Sequence, residues 1–207
     1  MSSSPDPTVR LTDPRLAARC LEAMERDVLP LTAASVTRGN KVFGAALLEK
    51  RDLSTAMAET NNEIENPLWH GEVHLLKRFH ERPEIGRRDP RDFVFLSTHE
   101  PCPMCLAAIT WAGFDEIVYF FTYEDSRDTF AIPHDLRIMA EVFGVADGAY
   151  RRDNAFWSAR SVAELIAARP ADETARLAAQ AERIRACYDD LSAQYQASKS
   201  GNTIPLA

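Results

Sequence analysis

The sequence predicts an α/β protein in which helices cover a sheet whose later strands run parallel. Between residues 13 and 122, short apolar runs rich in β-branched and aromatic residues alternate with segments whose apolar residues recur at helical spacing. The order of these segments is helix, strand, strand, helix, strand, helix, strand. A helix connects each later strand to the next, and parallel neighbours need such crossover connections.

The bulk composition limits the class of protein. An apolar fraction of 45% and a charged fraction of 27% are typical of a soluble globular chain. The net charge of −7 argues against a broad nucleic-acid-binding surface. The 4 cysteines are too few and too scattered for a disulfide scaffold, which indicates a reducing environment. Because no apolar signal core or membrane-span length is found, we expect a cytoplasmic location and no membrane partner.

Each element of the first part of the chain has a local cause. Asp13 and Pro14 suit the N-cap and first position of a helix, and Pro30 is expected to end it. The strands are short, apolar and bounded by turn residues. The predicted elements are a disordered lead over 1–12, a helix over 13–30, strands over 42–48 and 54–60, a polar loop over 61–69, a helix over 70–81, a strand over 93–98, a helix over 102–112 and a strand over 116–122.

The remainder is predicted to be mainly helical, with a polar loop over 123–128 and a helix over 134–143. The capping-box pattern Ser161-Val-Ala-Glu164 predicts a short helix to residue 169. A long helix over 172–197 carries a stripe of apolar residues at alternating steps of four and three. The stripe consists of Leu177, Ala181, Ile184, Tyr188, Leu191 and Tyr195. It is explained either by packing on the helix's own domain or by a contact between subunits.

The sequence contains two cysteines, a histidine and a glutamate whose spacing suits metal binding and proton transfer. Cys102 and Cys105 follow a predicted strand and open a helix, where free backbone N–H groups and the helix dipole stabilise thiolates. His70 also opens a helix after a strand and a loop. Since binding sites of α/β folds form where helices begin after strands, these three side chains are predicted to meet and bind a metal ion.

Three protein ligands leave the fourth position of a tetrahedral zinc ion to water, which is the arrangement of catalytic zinc sites. Zinc lowers the pKa of its water to about 7, so hydroxide is available at neutral pH. Glu72, two residues after His70, would then take the proton and deliver it to the substrate. The pairing of His-x-Glu with Pro-Cys-x-x-Cys is the signature of zinc deaminases.

Two other interpretations of the cysteine pair stay open. Cys-x-x-Cys at the start of a helix is also typical of thioredoxin-like redox sites, although His70 and Glu72 would then have no purpose. A structural zinc site would need a fourth ligand such as Cys20 or Cys187, and both cysteines fit apolar helix stripes and are expected in the core. His74, one turn after His70, is interpreted as a supporting or packing residue.

Two segments resemble the cytidine deaminase superfamily, in its nucleobase and tRNA-adenosine deaminase branch. They are Asn66-Pro-Leu-Trp-His-Gly-Glu72 and Glu100-Pro-Cys-Pro-Met-Cys-Leu-Ala-Ala-Ile-Thr-Trp-Ala112. The latter segment is especially similar to bacterial guanine deaminase, and His-Gly-Glu is similar to fungal-type cytosine deaminase. The resemblance covers residues 15–130 and implies a three-layer αβα sandwich around a mostly parallel five-stranded sheet, whose fifth strand must come from residues 123–160.

The resemblance also implies a division of the chain and an assembly. Residues 13–150 would form the deaminase domain, and residues 151–207 a helical C-terminal extension packed on that domain or on a partner subunit. Members of the superfamily are usually dimers or larger assemblies, so we expect a homodimer. The tail beyond about residue 145 resembles no member.

The resemblance makes Glu72 the catalytic proton shuttle and His70, Cys102 and Cys105 the zinc ligands. The implied substrate contacts are Asn61 or Asn62 on the ring, the Glu100 carbonyl on the leaving amino group, and Asp125 on a guanine-like edge. For Asp125, a solvated acidic loop is an equal alternative. Trp69 and Trp111 could stack on a flat base, with core packing as the alternative.

The function predicted from these residues is zinc-dependent hydrolytic deamination of a free amino-substituted nucleobase, nucleoside or related heterocycle. A tRNA adenosine deaminase is a second hypothesis, but it needs a basic surface, and Lys and Arg are sparse between residues 93 and 123. A third hypothesis is a non-catalytic protein that keeps zinc for folding and assembles through the helix over 172–197.

Overall fold

The computed structural model describes residues 11–206, so most of the predicted disordered lead over 1–12 lies outside the described residues. The strands are β1 (Gly44–Glu49), β2 (Thr55–Thr60), β3 (Phe93–His99), β4 (Glu116–Phe121) and β5 (Ser158–Ser161). The helices are α1 (Leu16–Ala23), α2 (Leu29–Val36), α3 (Gly71–Glu81), α4 (Pro83–Gly86), α5 (Pro103–Ala112), α6 (Tyr123–Asp128), α7 (His134–Phe143), α8 (Val162–Ala167) and α9 (Ala171–Ser198). A π-helical segment, Met24–Val28, joins α1 to α2.

The five strands form one sheet in the order β2-β1-β3-β4-β5. Strands β3, β4 and β5 are parallel neighbours, as the helical connections predict. Strand β1 is antiparallel to both β2 and β3, so the sheet is mixed rather than mostly parallel. The antiparallel pairing of β1 and β2 follows from their short connection, which leaves no room for a crossover helix. Strand β5 lies beyond residue 150 and belongs to the same sheet.

Helices cover both faces of the sheet and confirm the predicted α/β class. Alternate residues of β1 enter different cores, since side chains alternate along a strand. Ala46 and Leu48 pack in a cluster with α1, α2, α8 and α9. Ala45 and Leu47 pack in a second cluster with α3, α5 and α7. The helices that carry the predicted metal ligands therefore share one face of the sheet.

The apolar stripe of the long helix α9 packs against other helices of the same chain. Leu177, Ile184 and Tyr188 are fully or almost fully buried in the cluster that contains α1 and α2. Packing on the helix's own domain therefore accounts for the stripe. Cys20 is buried as predicted, but Cys187 is exposed, because it lies outside the stripe. In the part of the chain that the structure describes, no helix combines the length and apolar character needed to cross a bilayer.

Two local predictions are wrong. Pro30 does not end a helix, because the backbone adopts a π-helical turn before it and Pro30 falls in the first turn of α2, where proline needs no N–H partner. The segment over 123–128 is helix α6 rather than a loop. Its cause is a capping box between Thr122 and Asp125, a signal present in the sequence but not used.

Candidate metal and active site

His70, Cys102 and Cys105 bring three potential metal ligands to one point. The Nδ1 atom of His70 lies 3.6 Å from the Cys102 Sγ and 3.8 Å from the Cys105 Sγ, and the two sulfur atoms are 3.5 Å apart. With usual bond lengths, tetrahedral zinc places two thiolate ligands about 3.8 Å apart, and a thiolate and an imidazole nitrogen about 3.6 Å apart. The three side chains therefore fit three corners of a zinc tetrahedron.

Helix starts place these ligands. His70 and Cys102 are the N-cap residues of α3 and α5, both with extended backbone, and Cys105 lies in the first turn of α5. Pro103 occupies the first position of α5, where its fixed φ suits the helix. Because α3 and α5 pack side by side on one face of the sheet, their N-termini meet beside the end of β3.

The start of α3 also approaches strand β1 closely. A Cβ atom added at Gly71 would lie 2.6 Å from the Gly44 Cα. We expect Gly71→Ala to lower the free energy of unfolding by about 1–3 kcal/mol, because backbone atoms cannot move aside as a side chain can. Urea denaturation measures the change. Gly201→Ala is the control, since no atom lies within 4 Å of its Cβ position. Equal stability of the two variants would contradict this packing argument.

Glu72 lies beside the ligand cluster and is buried. The Ser97 hydroxyl donates to its Oε1 over 3.0 Å, and the Cys105 Sγ lies 3.4 Å from its Oε2. Burial raises the pKa of Glu72, and the negative charge of Cys102 raises it further. A carboxyl group with a raised pKa is a stronger base than an ordinary carboxylate and can give back the proton that it accepts, as a proton shuttle must.

The ligand atoms are electrostatically linked. The hydrogen bond with Cys105 lowers the pKa of Cys102 well below that of an ordinary thiol, whereas burial raises the pKa of Cys105. Burial opposes a charge on His70, but the hydrogen bond and charge of Cys102 raise its pKa to about 9. Without metal, Cys102 and His70 thus form a thiolate–imidazolium pair, and metal binding must release protons from His70 and Cys105.

A cavity of about 540 Å³ opens beside the cluster, with His70 and Cys102 on its wall. Most of the lining is apolar, and the loop before α3, helix α7 and the C-terminal segment contribute to it. The apolar lining residues are Phe43, Pro67, Leu68, Pro103, Met104, Ala107, Ile132, Ile138, Val142, Phe143, Ile204, Pro205 and Leu206. Such a cavity suits a flat, largely apolar ring held in place by a few polar groups.

Four polar lining residues were not predicted as site residues from the sequence: Lys41, Glu63, His134 and Asp135. His134 and Asp135, at the start of α7, both line the cavity. Burial, followed by the negative charge of Cys102, raises the pKa of Asp135 to about 8. Burial lowers the pKa of His134, which favours its neutral form. No local pattern identifies them, because their importance comes from the packing of α7 against α5.

The residues predicted to contact a substrate ring have other partners. The Asn61 Oδ1 accepts a hydrogen bond from the Gly71 N–H, and its Nδ2 donates to Glu63 over 2.7 Å. The Asn62 Nδ2 donates to Glu65 over 2.7 Å. The ring of Trp69 stacks on His74, with 5.8 Å between centroids. Among residues 11–206, the cavity lining includes none of these predicted contacts.

The side chains of Asp125 and Glu100 also have hydrogen-bond partners within the chain, and the predicted contact of the Glu100 backbone carbonyl stays a prediction. Asp125 accepts hydrogen bonds from the Thr122 N–H at 3.0 Å and from Arg185 at 3.3 Å. The Glu100 side chain accepts from the Tyr150 hydroxyl and the Tyr123 N–H, and burial raises its pKa. Asp125 is therefore a capping residue of α6, whereas Glu63 and Asp135 are the acidic residues of the cavity lining that the structure describes.

The chain is similar to proteins of known family and structure. The family model of the cytidine and deoxycytidylate deaminase zinc-binding region matches residues 19–121. A structure of guanine deaminase from Nitrosomonas europaea is similar over 94% of this chain and all of that chain, with 17% identity and a TM-score of 0.53. A structure of guanine deaminase from Bacillus subtilis covers 65% of this chain and 86% of its own, with 24% identity and a TM-score of 0.49. No curated protein sequence matches the chain.

Proposed function

Because the chain belongs to the cytidine deaminase superfamily, we propose that it is a zinc-dependent hydrolytic deaminase of small molecules. Its substrate would be a free amino-substituted nucleobase, nucleoside or related heterocycle, guanine-like or cytosine-like, and ammonia would be released. The observation that carries the proposal is the position of Glu72, a buried carboxyl group 3.4 Å from the Sγ of Cys105 and beside a cluster of three potential zinc ligands.

His70, Cys102 and Cys105 would hold the zinc ion. Bound there, zinc supplies a water activated for attack at neutral pH. Glu72 accepts a proton from the attacking water and passes it to a ring nitrogen of the substrate. A new C–O bond forms at the amino-bearing carbon. Glu72 then takes the proton of the new hydroxyl group and delivers it to the amino group, and the C–N bond breaks to release ammonia as the oxygen becomes the carbonyl of the product. Ser97 holds the Glu72 carboxyl group through its Oε1, 3.0 Å away.

The cavity favours a small ring over a nucleic acid. Lys41 is the one permanently cationic residue in the lining described by the structure, and its Nζ lies 2.9 Å from the Glu63 Oε1. A phosphate backbone needs unpaired Lys and Arg side chains, whereas the charge of Lys41 is already compensated. The apolar walls instead match the faces of a heterocycle.

We infer that Asp135 recognises the polar edge of the substrate ring, since it is the carboxyl group in the cavity lining that is not paired with Lys41. Asp135→Asn is expected to raise KM by about 2- to 10-fold, because the amide changes the donor and acceptor pattern of the carboxyl group and a hydrogen bond contributes roughly 0.5–1.5 kcal/mol. Steady-state assays of ammonia release measure this change. Asp125→Asn is the matched control and should leave KM near the wild-type value. The reverse result would assign the substrate contact to Asp125 instead.

The experiment that tests the proposed activity is an ammonia-release screen with zinc-loaded protein. The substrates are guanine, cytosine, their nucleosides and aminotriazines, each assayed at several concentrations. Release of ammonia from at least one of them, with a carbonyl product identified by mass spectrometry, supports the proposal. If a zinc-loaded, folded protein deaminates none of these compounds, the non-catalytic hypothesis becomes the better one.

We also propose that the protein forms a homodimer. The side chain of Trp111, on the outer face of α5, is 91% exposed, and large aromatic side chains are enriched at subunit interfaces. Trp111→Glu should convert a dimer to a monomer without lowering the free energy of unfolding of the monomer, because the side chain contacts little within its own chain. Size-exclusion chromatography with light scattering measures the mass. A monomeric wild-type protein would contradict the proposal.

A further inference from the structure

A buried ion pair lies next to the metal-binding histidine. The Lys41 Nζ is 2.9 Å from the Glu63 Oε1, and the two side chains are only 4% and 1% exposed. Removing two charges from water costs free energy, and such a pair is often no more stable than apolar residues of similar size. The pair therefore needs an explanation beyond stability. Its neighbour, the His70 imidazole, suggests one.

The two ring nitrogens of His70 face different groups. Nδ1 points to the sulfur atoms of Cys102 and Cys105, at 3.6 and 3.8 Å. Nε2 lies 3.6 Å from the Oε1 of Glu63, which is beyond hydrogen-bond length but within the range of an ion pair. A negative charge at this distance favours the tautomer with its proton on Nε2. In that tautomer the lone pair is on Nδ1, the atom directed at the metal position.

Asn61 fixes Glu63 relative to helix α3. Its Nδ2 donates to the Glu63 Oε2 over 2.7 Å, and its Oδ1 accepts from the N–H of Gly71, the residue after His70. One carboxamide thus joins Glu63 to the helix start that carries the histidine. Lys41 compensates the remaining oxygen of Glu63, which limits its tendency to become a metal ligand itself.

We propose that Glu63 is a positioning residue for the metal site, which holds His70 in the Nε2–H tautomer and is itself oriented by Asn61, while Lys41 only compensates its charge. Carboxylates that orient metal-bound histidines in this way typically contribute 10- to 100-fold to metal affinity. The proposal depends on metal binding and not on which substrate is deaminated. It assigns to Asn61 a role in supporting the metal site.

The test compares metal affinity in four variants: Glu63→Gln, Lys41→Met, the double variant with both changes, and Glu65→Gln. The exposed Glu65 lies in the same loop and serves as the matched control. Zinc affinity is measured by competition with a chelator, and the visible absorption of the Co²⁺-loaded protein reports the ligand geometry. The double variant avoids an unpaired buried lysine, so a folding defect of Glu63→Gln alone cannot imitate the expected result.

We expect Glu63→Gln and the double variant to bind zinc about 10- to 100-fold more weakly than the wild type and to have altered cobalt spectra. Lys41→Met and Glu65→Gln should keep near wild-type affinity, because both retain the carboxylate of Glu63. Wild-type affinity in the folded double variant would overturn the proposal. An equal loss of zinc affinity in Lys41→Met and in the double variant would also overturn it. The loss would then come from the missing ion pair and its effect on stability, and not from the missing carboxylate of Glu63. Neither readout requires catalytic turnover.

Discussion

Glu72→Gln will lower the rate of ammonia release by about 100- to 10,000-fold, the usual contribution of a general acid–base group. Glutamine keeps the shape of the side chain and can still accept the hydrogen bond from Ser97, but it cannot take up or deliver a proton. The loss should appear in kcat rather than in KM, because Glu72 acts on protons that move only during the reaction. Steady-state assays on a substrate found in the screen give both constants.

The control for this prediction is Glu81→Gln, at the exposed C-terminal end of the same helix. Its rate should equal that of the wild type. Zinc content must also be measured, and Glu72→Gln should retain a full equivalent, since Glu72 is outside the cluster of three potential ligands. Unchanged kcat in a zinc-loaded Glu72→Gln protein would falsify the assignment of Glu72 as the proton shuttle.

Removal of zinc by a chelator will abolish ammonia release and lower the melting temperature. A ligand that binds only the folded state stabilises it by about 4 kcal/mol at a thousandfold excess over its Kd. For a chain of this size, that corresponds to a shift on the order of 10 °C. Differential scanning calorimetry with and without zinc measures the shift, and added zinc should restore both activity and stability. Full activity in metal-free protein would contradict a zinc-dependent reaction.

The pH dependence of zinc binding follows from the ligands. In the metal-free protein the pKa of His70 is raised to about 9 by its interaction with Cys102 against the effect of burial, and burial raises the pKa of Cys105. Both must lose protons when zinc binds, so affinity should fall as pH falls from 9 towards 6. Cys105→Ser should weaken binding at every pH, whereas the exposed Cys187 can be replaced by serine with no effect.

Much of the fold could be predicted because its causes are local. The alternation of apolar residues in the strands and the helical spacing after His70 predict elements that differ from the structure by one or two residues at most of their ends. Two secondary-structure predictions failed, at Pro30 and at residues 123–128, where a π-helical turn and a helix cap determine the backbone conformation. Pro30 is accommodated by a π-helical turn, and the capping box at Thr122 converts a polar loop into helix α6.

The metal ligands of the candidate site could also be predicted from local sequence features, whereas the groups that line the cavity could not. The start of a helix after a strand can be recognised in the sequence. Such helix starts carry His70, Cys102 and Cys105, whose potential ligand atoms all lie within 4.8 Å of one another. The resemblance to the deaminase family implied Asp125 as a substrate contact, with a solvated acidic loop as an equal alternative, and in the structure Asp125 caps α6. Asp135, one of the two acidic residues in the described cavity lining, lies ten positions later, in α7.

By itself, the sequence determined the α/β class, the cluster of metal ligands and the carboxyl group beside it, because each depends on residue types at fixed short spacings next to helix starts. Only the tertiary structure decided which polar groups surround that cluster. Glu63 meets Lys41 across 22 positions and faces His70 from a loop, and Asp135 reaches the cavity through the packing of α7. Burial and charge at such positions depend on contacts between distant segments, which no local pattern encodes.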